Sequence, residues 1–317
     1  MLRVWRSMQS FMIEIKSSNI DNKGNIHKII NYENPTQSQI QSIYKLLKNQ
    51  NKINDKEELK DKFQNKAYKN GKGALFYFID NEAVASICVV LESAKTIGNS
   101  FIYDITINKE INNKYAILEL LIKEGISLSK EHGANDIRLG ISPDVIEVFK
   151  SLGFKDEYRA LQMELNDTDK RCEILQLKEL NYYNKEKYIK IYNSSFKDMP
   201  HGCIICEEDV KEYLRKINNN NDKTHFYYIV CDNQDEIGFM EVTIEDGKGM
   251  FDIGLCKKYR GMGYGSRLLE TAISFLVELG ASVNLIVIED NKVAYEMYKK
   301  RGFEESFIKS YWKKLNV

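Results

Sequence analysis

The residues with the clearest chemical meaning form a run of three glycines at alternate positions, Arg260-Gly261-Met262-Gly263-Tyr264-Gly265, followed by Ser266. An apolar strand-like stretch leads into this run and ends near Cys256. An amphipathic helix pattern follows it directly. Glycine tolerates positive φ, so such a run lets the backbone turn sharply and leaves no side chains over its N–H groups. The helix then aims its positive dipole end and unpaired N–H groups at the same spot, which suits a pyrophosphate. Other phosphate loops do not fit. A P-loop needs Gly-Lys-Ser/Thr, whereas Gly265 is followed by Ser266-Arg267. A dinucleotide fingerprint would need a glycine at 266 and a place on the first strand of its unit. The plain alternative is a tight turn that binds nothing.

A second set of residues lies downstream. Asn291 is a good N-cap for a helix over Lys292 to Arg301, and Gly302 suits that helix's C-terminus. Tyr298 lies seven residues after Asn291, nearly two turns on, so both share one helix face. Taken alone, Asn291 is a cap and Tyr298 a core aromatic. Two carboxylates, Glu241 and Asp252, stand on strand-like stretches that should border a cleft beside the glycine run. Either is a candidate base, and either could equally be a surface carboxylate.

Together these segments resemble the GNAT superfamily of acyl-CoA-dependent N-acyltransferases. Arg260, Gly263 and Gly265 fall on its Arg/Gln-x-x-Gly-x-Gly/Ala motif. Asn291, Ala294, Tyr298, Gly302 and Phe303 fall on its second motif, so the resemblance covers most of Phe251 to Phe303. It implies a mixed α/β (α+β) sheet fold with acetyl-CoA, or another acyl-CoA, as co-substrate and no tightly bound cofactor. Backbone N–H groups from Arg260 to Ser266 would hold the pyrophosphate. The strand end around Leu255, Cys256 and Lys257 would pair with the pantetheine arm, and the Leu255 N–H would meet the thioester carbonyl. Tyr298 would face the sulfur and protonate the departing thiolate, which a phenol with an ordinary pKa near ~10 can do at neutral pH. The acceptor would be a small-molecule amine or a peptide N-terminus. The alternative is a non-catalytic acyl-CoA-binding or scaffold protein.

The elements that must position these residues occur twice. Strand-like runs at Ala74 to Ile79, Ala83 to Leu91 and Phe101 to Ile107 are matched by His225 to Cys231, Ile237 to Ile244 and Met250 to Cys256. Each trio is followed by a helical stripe. The first is Ile117, Leu118, Leu121, Ile122 and Ile126; the second is Leu268, Leu269, Ala272, Ile273 and Leu276. Each stripe is followed by Gly-Ala (Gly133, Gly280), a further strand (Asp136 to Ile141, Val283 to Ile288), a short helix and Gly-Phe (Gly153, Gly302). Polar, helix-prone sequence opens each half, over Thr36 to Lys66 and Tyr182 to Asn218. The pattern predicts two tandem GNAT-like domains, 12–165 and 170–317, joined by the polar, turn-forming Asn166 to Arg171. The first half lacks the chemistry. Asn108 to Ala116 contains no glycine, Phe149 stands where Tyr298 should be, and Ser142-Pro143 replaces the Asp-Asn helix start.

Composition bounds the rest. Lys plus Arg and Asp plus Glu are 46 each, so no whole-chain field favours nucleic acid or an anionic membrane. No stretch approaches the ~20 apolar residues of a membrane span, and the N-terminus does not read as a secretory signal. Six scattered cysteines form no disulfide framework, which fits a reducing cytoplasm. His201, Cys203 and Cys206 invite a metal reading, but a structural zinc site takes four ligands and no second CxxC exists, so no metal is expected. Met199 to Cys206 is expected to wall the acceptor site instead.

Overall fold

The computed structural model describes residues 16–20, 24–143, 152–196, 204–218 and 224–317. In chain order the first elements are β1 (Lys16–Ile20), β2 (Ile26–Asn31), α1 (Gln37–Lys48), α2 (Glu58–Phe63), β3 (Ala74–Ile79), β4 (Glu82–Val90), α3 (Ala94–Ile97), β5 (Asn99–Ile107), α4 (Lys114–Glu131), β6 (Asp136–Ile141) and β7 (Lys155–Leu165). There follow β8 (Gln176–Glu179), α5 (Lys185–Phe196), α6 (Glu207–Asn218), β9 (His225–Asp232), β10 (Asp235–Glu245), β11 (Lys248–Leu255), α7 (Tyr264–Glu278), β12 (Ser282–Ile288), α8 (Lys292–Arg301) and β13 (Glu304–Asn316). The local signals act where they were read. The α7 stripe Leu268, Leu269, Ala272, Ile273 and Leu276 is buried. Helix α1 starts on a capping box in which Thr36 and Gln39 satisfy each other's backbone N–H groups.

The chain forms two compact units. One contains the residues up to Arg159 together with Ser310–Val317, and the other is Ala160–Lys309. In the first unit the strands run β1-β2-β3-β4-β5-β6 and end on the C-terminal part of β13. In the second the order is β8-β9-β10-β11-β12, ending on the C-terminal part of β7. Each unit is a mostly antiparallel sheet with one parallel pair, β5 with β6 or β11 with β12, and the preceding helix makes the crossover. The last strand of each comes from the opposite half of the sequence. Tyr311–Asn316 pair with β6, and Ala160–Leu165 pair with β12.

The sequence places the division at Asn166 to Arg171, whereas the units divide inside β7 and again inside β13. The reason is pairing between strands distant in sequence, which leaves no local signature. The polar stretch is also tied down. Buried Arg301 pairs with buried Glu270 and donates to the carbonyls of Asp167 and Asp169, at 2.9 Å each. Phe149 and the short helix expected around it lie outside the described residues, as do His201 and Cys203 and most of the loop expected to wall the acceptor site.

In the second unit the sheet is covered on both faces. Val242, Phe251, Val283, Leu285 and Val287 pack on one side with α7, Tyr298 and Phe303. Tyr227, Ile229 and Phe239 pack on the other with Tyr188 and Tyr192 of α5 and Val210 of α6. Among the described residues no helix is long and apolar enough to cross a membrane.

Candidate active site

Strands β11 and β12 pair over only three positions, Lys248 with Ser282, Gly249 with Val283 and Met250 with Asn284. Beyond them the strands diverge, so Phe251 to Leu255 have a strand partner on the β10 side alone. The Cys256 N–H bonds the Ile237 carbonyl at 2.9 Å. Because ladder bonds alternate along an antiparallel pair, the N–H groups of Ile253 and Leu255 point the other way, into the opening between β11 and β12. Leu255 therefore presents an unpaired backbone donor to the cleft.

The glycine run lies at the mouth of this opening. After Cys256 the chain makes a short 3-10 turn over Lys257–Tyr259 and reaches Arg260. The Arg260 guanidinium donates to the Leu255 carbonyl at 3.1 Å and to the Ser195 carbonyl at 2.8 Å, which fixes the strand end against α5. Gly261 and Gly263 have φ of +76° and +85°, and a Cβ on either would meet nothing within 4 Å. These positions need glycine for the turn and for the open space above it. Gly263 caps α7, no side chain caps its first N–H groups, and Met262 and Ser266 are exposed. Gly265 serves packing as well, since a Cβ there would lie 3.2 Å from the Met297 sulfur. Tyr264 is anchored outward by its hydroxyl to Asp232 at 2.9 Å. Cys256 accepts a hydrogen bond from the Ser194 hydroxyl at 3.3 Å, and Lys257 is exposed.

Asn291 caps α8, its side-chain oxygen accepting from the Ala294 N–H at 3.4 Å, and Gly302 ends the helix at φ +109°. Tyr298 projects from α8 into the core, with its ring 5.7 Å from that of Phe303, and is 9% exposed. Burial, reinforced by the nearby charge of Asp252, pushes its phenol well above the ordinary tyrosine range. The packing role and the acid role are therefore compatible.

Glu241 and Asp252 are directly opposite each other on β10 and β11, with Cα atoms roughly 5.5 Å apart for such a hydrogen-bonded pair. Both line a cleft of about 130 Å³ with Tyr227, Thr243, Met250 and Ile286. Burial pushes Glu241 up to about 7, with the Asp252 charge adding to it and a hydrogen bond from Tyr188 opposing it. Asp252 keeps solvent access through the cleft, yet the protein around its carboxyl raises its pKa too. Two facing carboxylates that resist ionisation together, beside a buried phenol, can take a proton from a nucleophile and return one to a leaving group. Sequence reasoning missed Tyr188. It lies fully buried on α5 and donates its hydroxyl to Glu241. Nothing in the local spacing links residue 188 to 241.

The acetyltransferase (GNAT) family model matches residues 179–303. The [ribosomal protein bS18]-alanine N-acetyltransferase of Haemophilus influenzae is 30% identical over 100 residues, spanning 31% of this chain and 68% of that protein. Among solved structures, a GCN5-related N-acetyltransferase from Sphaerobacter thermophilus aligns over 94% of this chain and 96% of its own (TM-score 0.61, 13% identity). A tandem GNAT protein from the clavulanic acid biosynthesis pathway aligns over 91% and 98% (TM-score 0.60, 9% identity). At these identities the solved structures speak for the fold.

Proposed function

This chain belongs to the GNAT family of acetyltransferases, and we propose that its second unit moves acetyl from acetyl-CoA to a primary amine by direct attack. The observation that carries the proposal is the meeting of the glycine run, the opening between β11 and β12, and the Glu241–Asp252 pair within one unit. Backbone N–H groups of the run and the start of α7 hold the pyrophosphate. The Leu255 N–H receives the thioester carbonyl oxygen, where negative charge develops during attack.

The neutral amine attacks the carbonyl carbon from the carboxylate side of the sheet. A C–N bond forms, the C–S bond breaks, and the amine's proton passes to Glu241 directly or through a water. Asp252 opposite keeps Glu241 a better proton acceptor than an isolated carboxylate. Tyr298 gives its proton to the departing thiolate; burial keeps the phenol protonated until that charge appears. Tyr188 acts through Glu241 and is a positioning residue. The first unit is a degenerate copy of the same domain and binds no acyl-CoA tightly.

The likeness to an enzyme whose name specifies a ribosomal alanine supports a peptide N-terminus as a second reading of the acceptor. The test is release of free CoA from acetyl-CoA in the presence of alkylamines, diamines, aminoglycosides and short peptides. Turnover with any of them excludes a purely acyl-CoA-binding scaffold. Tight acetyl-CoA binding without turnover on the full panel would establish the scaffold instead.

A further inference from the structure

The acceptor cleft does not end at its catalytic carboxylates. Thr243 and Met250 also line a larger depression of about 390 Å³ on the same sheet face, walled further by Gln162, Glu245, Asp246, Lys248 and Asn284. Its floor is polar. Asn284 is 6% exposed, and its amide nitrogen donates to the Gly249 carbonyl at 3.3 Å and to the Ser282 hydroxyl at 2.9 Å. Both of these bonds use the amide nitrogen, which leaves the side-chain oxygen to solvent where Asn284 lines the depression. An acceptor oxygen at the solvent side of the depression can exchange water for a donor from a ligand.

The rim supplies charge. Glu245 ends β10, and Asp246 with Gly247 forms the two-residue turn to β11, both at positive φ as such hairpins require. Lys248 faces Glu245 in register, so the two carboxylates leave an excess of one negative charge around the Asn284 oxygen. Thr243 and Glu245 lie two and four residues beyond Glu241 on one strand face, roughly 7 and 14 Å away at ~3.4 Å per residue.

We propose that this depression is a second subsite that binds a distal ammonium group of the acceptor, so that the preferred substrate is an aliphatic diamine or oligoamine. The inference rests on reading the Glu241–Asp252 cleft as the place where the acceptor reacts. One nitrogen lies neutral at Glu241 while a second, charged, is held by Glu245 and Asp246 and donates to Asn284. Methylenes between them run past Thr243 and Met250. A neutral or singly charged amine gains nothing from the subsite.

The test compares α,ω-diaminoalkanes with n-alkylamines of equal length, over about four to about ten methylenes to bracket the spacing above. The best diamine should exceed its monoamine counterpart in kcat/KM by roughly tenfold, the scale of one partly desolvated charge pair, and added salt should shrink that ratio. The double variant Glu245→Gln/Asp246→Asn keeps a turn-compatible residue at 246 and should bring the ratio close to one. A parent ratio of one, a ratio the variant leaves unchanged, or an alanyl peptide with no second cationic group outpacing every diamine would overturn the subsite. If no amine turns over, the reading of the reaction centre fails. Calorimetric binding of the longest diamine to the acetyl-CoA-loaded chain then decides the subsite: the double variant must weaken it roughly tenfold, and equal affinities overturn the proposal.

Discussion

The two units carry an aspartate on the strand beside the opening, and they treat it in opposite ways. In the first unit β5 and β6 pair from Asn99 with Asp136 to Ile102 with Leu139 and then part, and Asp104 stands on β5 just past that point. Its carboxylate is bound by the Lys52 ammonium at 2.6 Å and the Lys62 ammonium at 2.9 Å. Burial pushes its pKa up, but the two cations outweigh burial and hold it below the usual carboxylate range. In the second unit β11 and β12 part after Met250, and Asp252 stands two residues beyond with no cation partner among the described residues. One aspartate is neutralised and contributes to stability. The other stands opposite Glu241 without a cation, and in the proposed mechanism that unfavourable charge serves proton transfer.

The helix that follows repeats the contrast. Before α7 the turn is made by Gly261 and Gly263 and stays open above the backbone. Before α4 it is made by Asn113 in the left-handed region at φ +60°, with the Asn108 side chain accepting from the Glu110 N–H at 3.1 Å and Ile111 packed onto the core. The two units thus share a sheet plan while differing in the turn that precedes the crossover helix, because different residues specify the two.

The comparison predicts unequal responses to matched changes. The largest is at the glycine run. Gly263→Val should weaken acetyl-CoA binding by at least about 100-fold in calorimetry. It should leave the circular dichroism spectrum intact, because no protein atom lies within 4 Å of the added Cβ and the left-handed strain is local. The counterpart Asn113→Gly should leave acetyl-CoA affinity unchanged. Normal binding by the Gly263 variant would mean the phosphate cradle lies elsewhere.

Next comes the leaving group. Tyr298→Phe keeps the ring packed beside Phe303 and removes only the hydroxyl, so acetyl-CoA affinity should hold while kcat falls by roughly 100-fold. The loss should shrink with an acyl donor whose thiol leaves more readily. A flat dependence on the leaving group would reassign Tyr298 to positioning.

Proton transfer at Glu241 should show as an acid limb in kcat/KM. With Glu241 pushed up to about 7, kcat/KM expressed per neutral amine should fall tenfold per pH unit below that value and level off above it. Glu241→Gln should lower the plateau and abolish the limb. Tyr188→Phe removes a hydrogen bond that favours the charged carboxylate, so the limb should move to higher pH by up to about one unit. An unmoved limb would make Tyr188 a packing residue only.

The smallest effects separate the aspartates. Asp104→Asn strands two lysines and should cost about 2 kcal/mol of stability without affecting catalysis. Because the folded-state pKa of Asp104 is depressed, its contribution is present at neutral pH and disappears as the pH falls through and below about 4, where parent and variant should converge. Asp252→Asn should do the reverse, lowering activity while leaving thermal stability equal or slightly improved.

Much of this was legible in the sequence because it is local. The stripe on α7, the Asn291 cap, the Gly302 stop and the glycine run each depend on residues within a few turns of one another. The strands appeared within a few residues of where periodicity put them, and the carboxylates Glu241 and Asp252 fell on the cleft face together. What the sequence hid is long-range. The return of β13 to β6, the docking of β7 on β12, the buried Arg301–Glu270 clamp on residues 167 and 169, and the Tyr188 hydroxyl on Glu241 all join residues tens to more than a hundred positions apart. Loss of pairing beyond Met250 is set by the whole sheet, so no spacing rule announces it.

The central claim is that only the second unit retains the acyl-CoA site. Calorimetric titration of the intact chain with acetyl-CoA tests it most directly. A stoichiometry near one, abolished by Gly263→Val, is the predicted result; two equivalent tight sites, or one site indifferent to that substitution, would contradict it.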